Sequence, residues 1–350
     1  MQYLRPRHAP PHPTPRPVRH HLLRRLLLSL SLAAATASAA PADDFSDKFL
    51  MLGTGPVGGT FRPVGEALCD AINEDREASL VRCVPVGTAG TTFNLHAVSN
   101  QSIQLGIAQE DLLAQLQRNA AVPKAQALRT VAVLHTSPIA VMVRKDSGIG
   151  TLAQIAGKRM NLGNRGSGQF AITAALLRAL DLRVEDLGSA SYLATSEFER
   201  AFCGGQVDVV VEAVAHPSPL FAALRACGGE FIDLPEPVRQ RLAAENPWLS
   251  AQQIPAALYP GRQQPVQTLG MRNLLFTQAA VDDESIFRLT QSLRRRQAEL
   301  QRSQPLLDSM QRLDAFDAAR LAAPLHRGAA RAYGLAPSPT PRLALQKDSR

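Results

Sequence analysis

Three stretches combine glycine with hydroxyl and amide side chains. They are Gly53-Thr54-Gly55-Pro56-Val57-Gly58-Gly59-Thr60-Phe61-Arg62, Gly87-Thr88-Ala89-Gly90-Thr91-Thr92-Phe93-Asn94, and Gly163-Asn164-Arg165-Gly166-Ser167-Gly168-Gln169. Each falls where a predicted strand gives way to a predicted helix. Small residues let a ligand approach the backbone, and free N–H groups at a helix start favour negative charge, so each stretch has the chemistry of an anion site. The first also spells G-x-G-x-x-G, the dinucleotide fingerprint. That reading fails because the next strand ends near Val86-Gly87 with no acid to hold a ribose hydroxyl. A carboxylate suits the same turns. One such turn alone is read as a capped helix. Three, spread over both halves of the chain, point to a cleft between two lobes, since ligands of open α/β sheets sit beyond the carboxyl ends of strands.

The elements that must position these turns alternate along the chain, which argues for parallel sheets with crossover helices. Strands are expected at Phe49–Gly53, Leu80–Val86, Ser102–Ala108, Leu128–Leu134, Ile139–Arg144, Arg159–Leu162, Val207–Val211, Phe231–Leu234 and Gln267–Phe276. Helices are expected at Pro63–Asn73, Asn94–Asn100, Thr151–Ala156, Gln169–Leu180, Phe198–Cys203, Pro219–Cys227 and Asp282–Arg302. The organisation read from this is a first lobe over 46–140 and a second over 141–250. The Pro-rich 235–265 then leads back to the first lobe, which 251–334 completes with C-terminal helices, and 335–350 forms a disordered tail.

Residues 1–39 carry six arginines and no acid, then the apolar run from Leu26 and the small-x-small Ala37-Ser38-Ala39, the pattern of a cleaved secretory signal peptide. The apolar run is about half the roughly 20 residues that a spanning helix needs. Removing this leader lowers the formal charge from +8 to +2. The basic balance therefore belongs to targeting, and the mature chain offers neither the basic stripe nor the stacking aromatics of a nucleic-acid binder. Export to the periplasm favours disulfides, and the spacing of four cysteines favours two local loops, Cys69 with Cys83 and Cys203 with Cys227. There is no C-x-x-C or H-x-x-x-H spacing, so neither a metal nor a cofactor is expected. Catalysis is not expected either. No G-x-S-x-G elbow is present, and His96, His135, His216 and His326 have no neighbouring partner that marks a base.

Together with the G-T-G-x-x-G-G-T opening, several later elements resemble the TAXI family of TRAP-transporter receptors. They are Gly90-Thr91 with Asn94, Gly106-Ile107-Ala108-Gln109 with Asp111, Gly157-Lys158, Gly163 to Gly168, Gly205 with Asp208, His216-Pro217, and Leu325-His326-Arg327-Gly328-Ala329. The resemblance runs from about Phe49 to Gly334. It implies a type II periplasmic-binding-protein fold, two α/β lobes joined by a hinge with the ligand cleft between them. It also implies capture of an organic acid or amino acid for TRAP membrane subunits; the alternative partner is a membrane receptor or kinase for which the chain senses a ligand. Phe61, Arg62, Glu212 and Ala215 depart from the family pattern.

Resemblance and anion chemistry together mark Thr54, Thr60, Thr91, Asn94, Gln109, Ser167 and Gln169 as pocket residues, with Gly58, Gly59, Gly168 and Arg62 beside them. Arg165 is the strongest cation candidate, able to hold a carboxylate through two N–H groups. Asp111 and Glu212 could receive an ammonium group, against the alternatives of a helix-start acid and an ion-pair member. His216 is a candidate that could equally shape its turn.

Overall fold

Two long strands, Leu128–Arg144 and Val266–Gln278, run side by side through both halves of the molecule and are antiparallel from Leu128↔Gln278 to Pro138↔Gly270. The computed structural model describes residues 48–119, 121–261, 263–307 and 318–336. The leader assigned to 1–39 and all but the first two residues of the tail assigned to 335–350 lie outside them. In chain order the strands are β1 (Lys48–Gly53), β2 (Val81–Val86), β3 (Leu105–Gln109), β4 (Leu128–Arg144), β5 (Arg159–Asn161), β6 (Ser189–Ser191), β7 (Val209–Ala213), β8 (Gly229–Ile232), β9 (Ser250–Ile254) and β10 (Val266–Gln278). The helices are α1 (Phe61–Glu74), α2 (Arg76–Ser79), α3 (Thr91–Ser99), α4 (Glu110–Arg118), α5 (Gly168–Ala179), α6 (Phe198–Cys203), α7 (Pro219–Ala226), α8 (Glu236–Glu245), α9 (Asp283–Arg295), α10 (Gln297–Ser303) and α11 (Arg327–Tyr333).

The same plan is built twice. In the first lobe the order is β2-β1-β3-β10-β4, with β1, β2 and β3 parallel and β10 antiparallel to β3. In the second it is β6-β5-β7-β4-β8, with β5, β6 and β7 parallel and β4 antiparallel to β7. Each lobe thus borrows one strand that comes from the other, and β4 and β10 form the connection between two α/β lobes, as in type II periplasmic-binding proteins. One core, with Leu52, Ile107, Leu134 and Phe276, fills the first lobe. Two cores cover opposite faces of the second-lobe sheet, Ile139, Val141 and Val211 on one side and Met142, Phe202 and Phe221 on the other. Alternation along β4 divides its side chains between those faces.

Several expectations need correction. β4 is continuous although its two halves read as separate strands. Pro138 lacks a donor, but it sits where β4 changes neighbours, the pairing with β10 ending at Pro138 and that with β7 beginning at Ile139, so a ladder bond is not lost mid-sheet. The Pro-rich 235–265 does not lead back to the first lobe. It contains α8, whose Val238 and Leu242 pack in a second-lobe core, and β9, which pairs with Val266–Gly270. Pro237 falls in the first helical turn of α8, where its fixed φ favours a helix start. The return to the first lobe happens within β10, after Gly270. The long helix expected over Asp282–Arg302 is interrupted at Arg296. The expected cysteine pairs, Cys69–Cys83 and Cys203–Cys227, are joined, with Cα atoms 4.9 and 5.3 Å apart.

Candidate functional site

The carboxyl ends of β1, β3, β5 and β7 meet around a cavity of about 70 Å³ between the lobes. The first lobe supplies Pro56, Gly59 and Thr60 from the turn after β1, Phe61 from the start of α1, Ala89, Gly90 and Thr91 at the start of α3, and Gln109 at the end of β3. The second lobe supplies Asn164, Ser167, Gly168 and Gln169 around the start of α5, Thr195 after β6, and Glu212, Ala213 and Val214 at the end of β7.

One wall is rich in donors. Thr60 before α1 makes no side-chain bond back onto its helix and Gly90 before α3 has no side chain to make one, so the first-turn N–H groups have no side-chain cap from these positions. Gly90 holds φ +99°, a conformation that only glycine adopts at little cost. α5 is different, because Ser167 accepts from the Phe170 N–H at 3.1 Å. The turns themselves are pinned from beneath by Asn94. Its side-chain N–H₂ donates to the carbonyls of Gly53, Thr54 and Ile107, at 3.1, 2.7 and 2.8 Å, and its Oδ1 accepts from Thr88 Oγ1 at 2.7 Å. Thr54 Oγ1 likewise donates to the Val86 carbonyl at 2.9 Å.

The opposite wall carries acceptors. Glu212, 7 % exposed, receives the Ala213 N–H at 3.0 Å, and burial pushes its pKa up to about 8. Gln169 Nε2 donates to the Val211 carbonyl at 2.8 Å, while its buried Oε1 has no partner. Among the described residues, no lysine, arginine or histidine lines the cavity.

The lobes touch beside this cavity. Asp111 Oδ2 on α4 accepts from Asn246 Nδ2, just past α8, at 3.0 Å. The Gln109 side chain lies so close to α5 that a β-carbon on Gly168 would come within 2.0 Å of its Oε1. Gly58 approaches Ser196 closely enough that a β-carbon there would sit 3.8 Å from the Ser196 backbone.

A family model described as the NMT1-like family matches residues 52–334. The chain belongs to the NMT1-like family. Solved structures show what this NMT1-like chain is similar to in fold. The periplasmic binding protein BugD is 13% identical, the alignment covering 75% of this chain and 88% of BugD with a TM-score of 0.53. MatC from Rhodopseudomonas palustris, with bound malate, is 17% identical over 74% of this chain and 88% of MatC, at a TM-score of 0.50. A binding-protein component of an ABC phosphonate transporter from Pseudomonas aeruginosa is 11% identical over 75% of this chain and 80% of its own, at 0.52. Among the described residues, no helix is long and apolar enough to cross a membrane.

Of the residues singled out in the sequence of this NMT1-like protein, Gly59, Thr60, Thr91, Gln109, Ser167, Gly168, Gln169 and Glu212 line the cavity. Thr54 and Asn94 do not, because their polar groups are spent on the backbone beneath it. Gly58 does not line it and faces Thr195 and Ser196, and the exposed Arg62 pairs with Glu66 at 3.0 Å along α1. Arg165 is exposed, its guanidinium 4.2 Å from the centre of the Tyr192 ring and 5.9 Å from that of Phe170, and it does not line the cavity. Asp111 borders a separate groove between α4, α5 and α8 and is held above the usual carboxylate range by burial. His216 follows β7, but its Nδ1 meets Tyr259 Oη and its ring stacks on Phe221; burial lowers its pKa to about 4, leaving it neutral. Phe61, Asn164, Thr195 and Val214 were not among the candidates, although Phe61 and Asn164 lie within the glycine-rich stretches.

Proposed function

We propose that the chain is a periplasmic solute-binding subunit of a TAXI-type TRAP transporter, which captures a small carboxylate-bearing solute between its lobes and presents it to the membrane subunits. The observation that carries this reading is the interlobe cavity reached by strand-end turns from both lobes, with uncapped helix starts on one wall. Such starts favour a carboxylate at little reorganisation cost. The TAXI resemblance, the family membership and the binding-protein fold support transport; MatC, a fold neighbour, was solved with malate. The carboxylate is held by backbone N–H groups of the α1 and α3 turns, with the Thr60 and Thr91 side chains as further donors, and Arg165 has no direct part. Capture works by hinge closure about β4 and β10, since one ligand can touch both walls only when the lobes meet.

Mass spectrometry of protein purified under native conditions tests the reading directly. A small carboxylic acid is expected to be retained, and small-angle scattering should show the stripped protein compacting when that acid is restored. Retention of a ligand with no acidic group, or an unchanged radius of gyration at saturation, would overturn it.

A further inference from the structure

We infer that the end of the ligand facing β7 is a cationic nitrogen seated between Glu212 and the Gln169 amide oxygen, so that the cavity selects small zwitterionic monocarboxylates over dicarboxylates. This deepens the carboxylate reading above and rests on it. Two independent features of the same wall carry it. Among the described residues that line the cavity, Glu212 is the one ionisable side chain. Gln169 Oε1, on a residue 4 % exposed, is buried with no donor to satisfy it. A buried acceptor without a donor costs free energy, and a buried carboxylate without a cation costs more. An ammonium group supplies charge to the first and an N–H to the second.

Among the described residues, none supplies such a cation. Charged and titratable groups on the second-lobe elements around Glu212 are turned to other partners: Arg144 to Asp146, Arg159 to Asp208, Arg165 to the Tyr192 ring, Arg178 to Glu245, and His216 to Tyr259; His135, in the first-lobe half of β4 opposite Asn273, is kept neutral by burial, which lowers it to about 4. A second carboxylate in this position would face an acid and an amide oxygen, both acceptors. A dicarboxylate could be held only by a protonated Glu212 acting as donor. The uncapped starts of α1 and α3 lie on the other wall and take the single carboxylate. The two walls therefore differ in sign, and a zwitterion matches both.

The test uses full-length mature protein, stripped of ligand and equilibrated with a mixture of matched acids. The mixture pairs β-alanine with propionate and γ-aminobutyrate with butyrate, and adds succinate and malate as dicarboxylates. Native mass spectrometry reads what is retained, and calorimetry gives the affinities. Wild type should favour each amino acid over its deamino partner by roughly tenfold to a hundredfold, the range for a hydrogen bond to a charged group. In Glu212→Gln that ratio should collapse toward one. Wild-type calorimetry in buffers of different ionisation heat adds a readout that needs no variant: close to one proton should leave the protein per amino acid bound near pH 7, because Glu212 ionises as the ammonium arrives. Deamino acids or dicarboxylates bound equally well or better, or no proton released, would overturn this inference and leave the carboxylate reading standing. Retention of no acid at all would remove the carboxylate reading and this inference with it.

Discussion

Replacing Glu212 by glutamine separates the effect of burying this side chain from the effect of ionising it. In the folded protein burial raises the carboxyl from 4.5 to about 8, opposed only by the Ala213 N–H. Between those two values the unfolded chain has lost a proton that the folded chain keeps. Stability contributed by the neutral acid is therefore complete below pH 4.5, declines as pH rises, and is fully lost above about 8. The whole displacement corresponds to about 5 kcal/mol, of which about 3 kcal/mol is already lost by pH 7. This is large against native stabilities of about 5–15 kcal/mol. Glutamine has nearly the same shape and cannot ionise. Its constant cost, an altered hydrogen-bond pattern, shifts the stability curve without changing its slope. Urea unfolding of ligand-free wild type and Glu212→Gln from pH 4 to pH 9 should give curves that run parallel at the acid end and diverge by about 3 kcal/mol by pH 7, the variant gaining. Curves that stay parallel throughout would show that Glu212 ionises as it does in water, and the burial argument would fall.

His135, 1 % exposed, should act with the opposite sign: burial lowers it from 6.5 to about 4, so stability falls as pH drops through that window by about 3 kcal/mol, and His135→Leu should remove the acid sensitivity in urea unfolding. Gly168→Ala should displace the Gln109 side chain from the cavity wall and weaken ligand binding about tenfold by calorimetry, with Gln109→Ala in the same chain suppressing most of the further loss. Opening Cys69–Cys83 and Cys203–Cys227 by paired Cys→Ser changes should cost about 3 and about 3.5 kcal/mol, from loops closed over separations of 14 and 24 residues, read as lowered urea midpoints.

Much of the architecture was legible because its signals are local. Strand-to-helix turns announce themselves through Gly59-Thr60, Gly90-Thr91 and Ser167-Gly168, and all six of these residues reach the cavity wall. What the residue types could not disclose was the direction of each polar side chain. Asn94 satisfies three carbonyls under the turns, and an asparagine facing a ligand would look the same in sequence. Arg165 meets Tyr192, a partner 27 positions away that only the tertiary fold brings near. Thr195 and Val214 carry no motif and enter the cavity because β6 and β7 end there. The path of 235–265 was misread for a different reason: its proline content suggested a connection between lobes, although Pro237 lies where it helps a helix begin.

The position of Glu212 joins stability to binding. An acid at the end of a buried strand, with no cation paired to it among the described residues, remains tolerable while it holds its proton, and it then presents the cavity with a donor. A ligand bearing an ammonium group reverses that preference, since the charged pair can form only if the proton leaves. The free energy that wild type loses on ionisation and the affinity it gains for a cation are therefore two legs of one thermodynamic cycle. Glutamine breaks both legs together. If the cycle is correct, Glu212→Gln is more stable than wild type near pH 8 without ligand and binds an amino acid more weakly, so that adding ligand narrows the gap in stability between the two proteins. A variant that gained stability yet kept wild-type affinity for amino acids would assign the raised pKa to packing alone and take Glu212 out of ligand recognition.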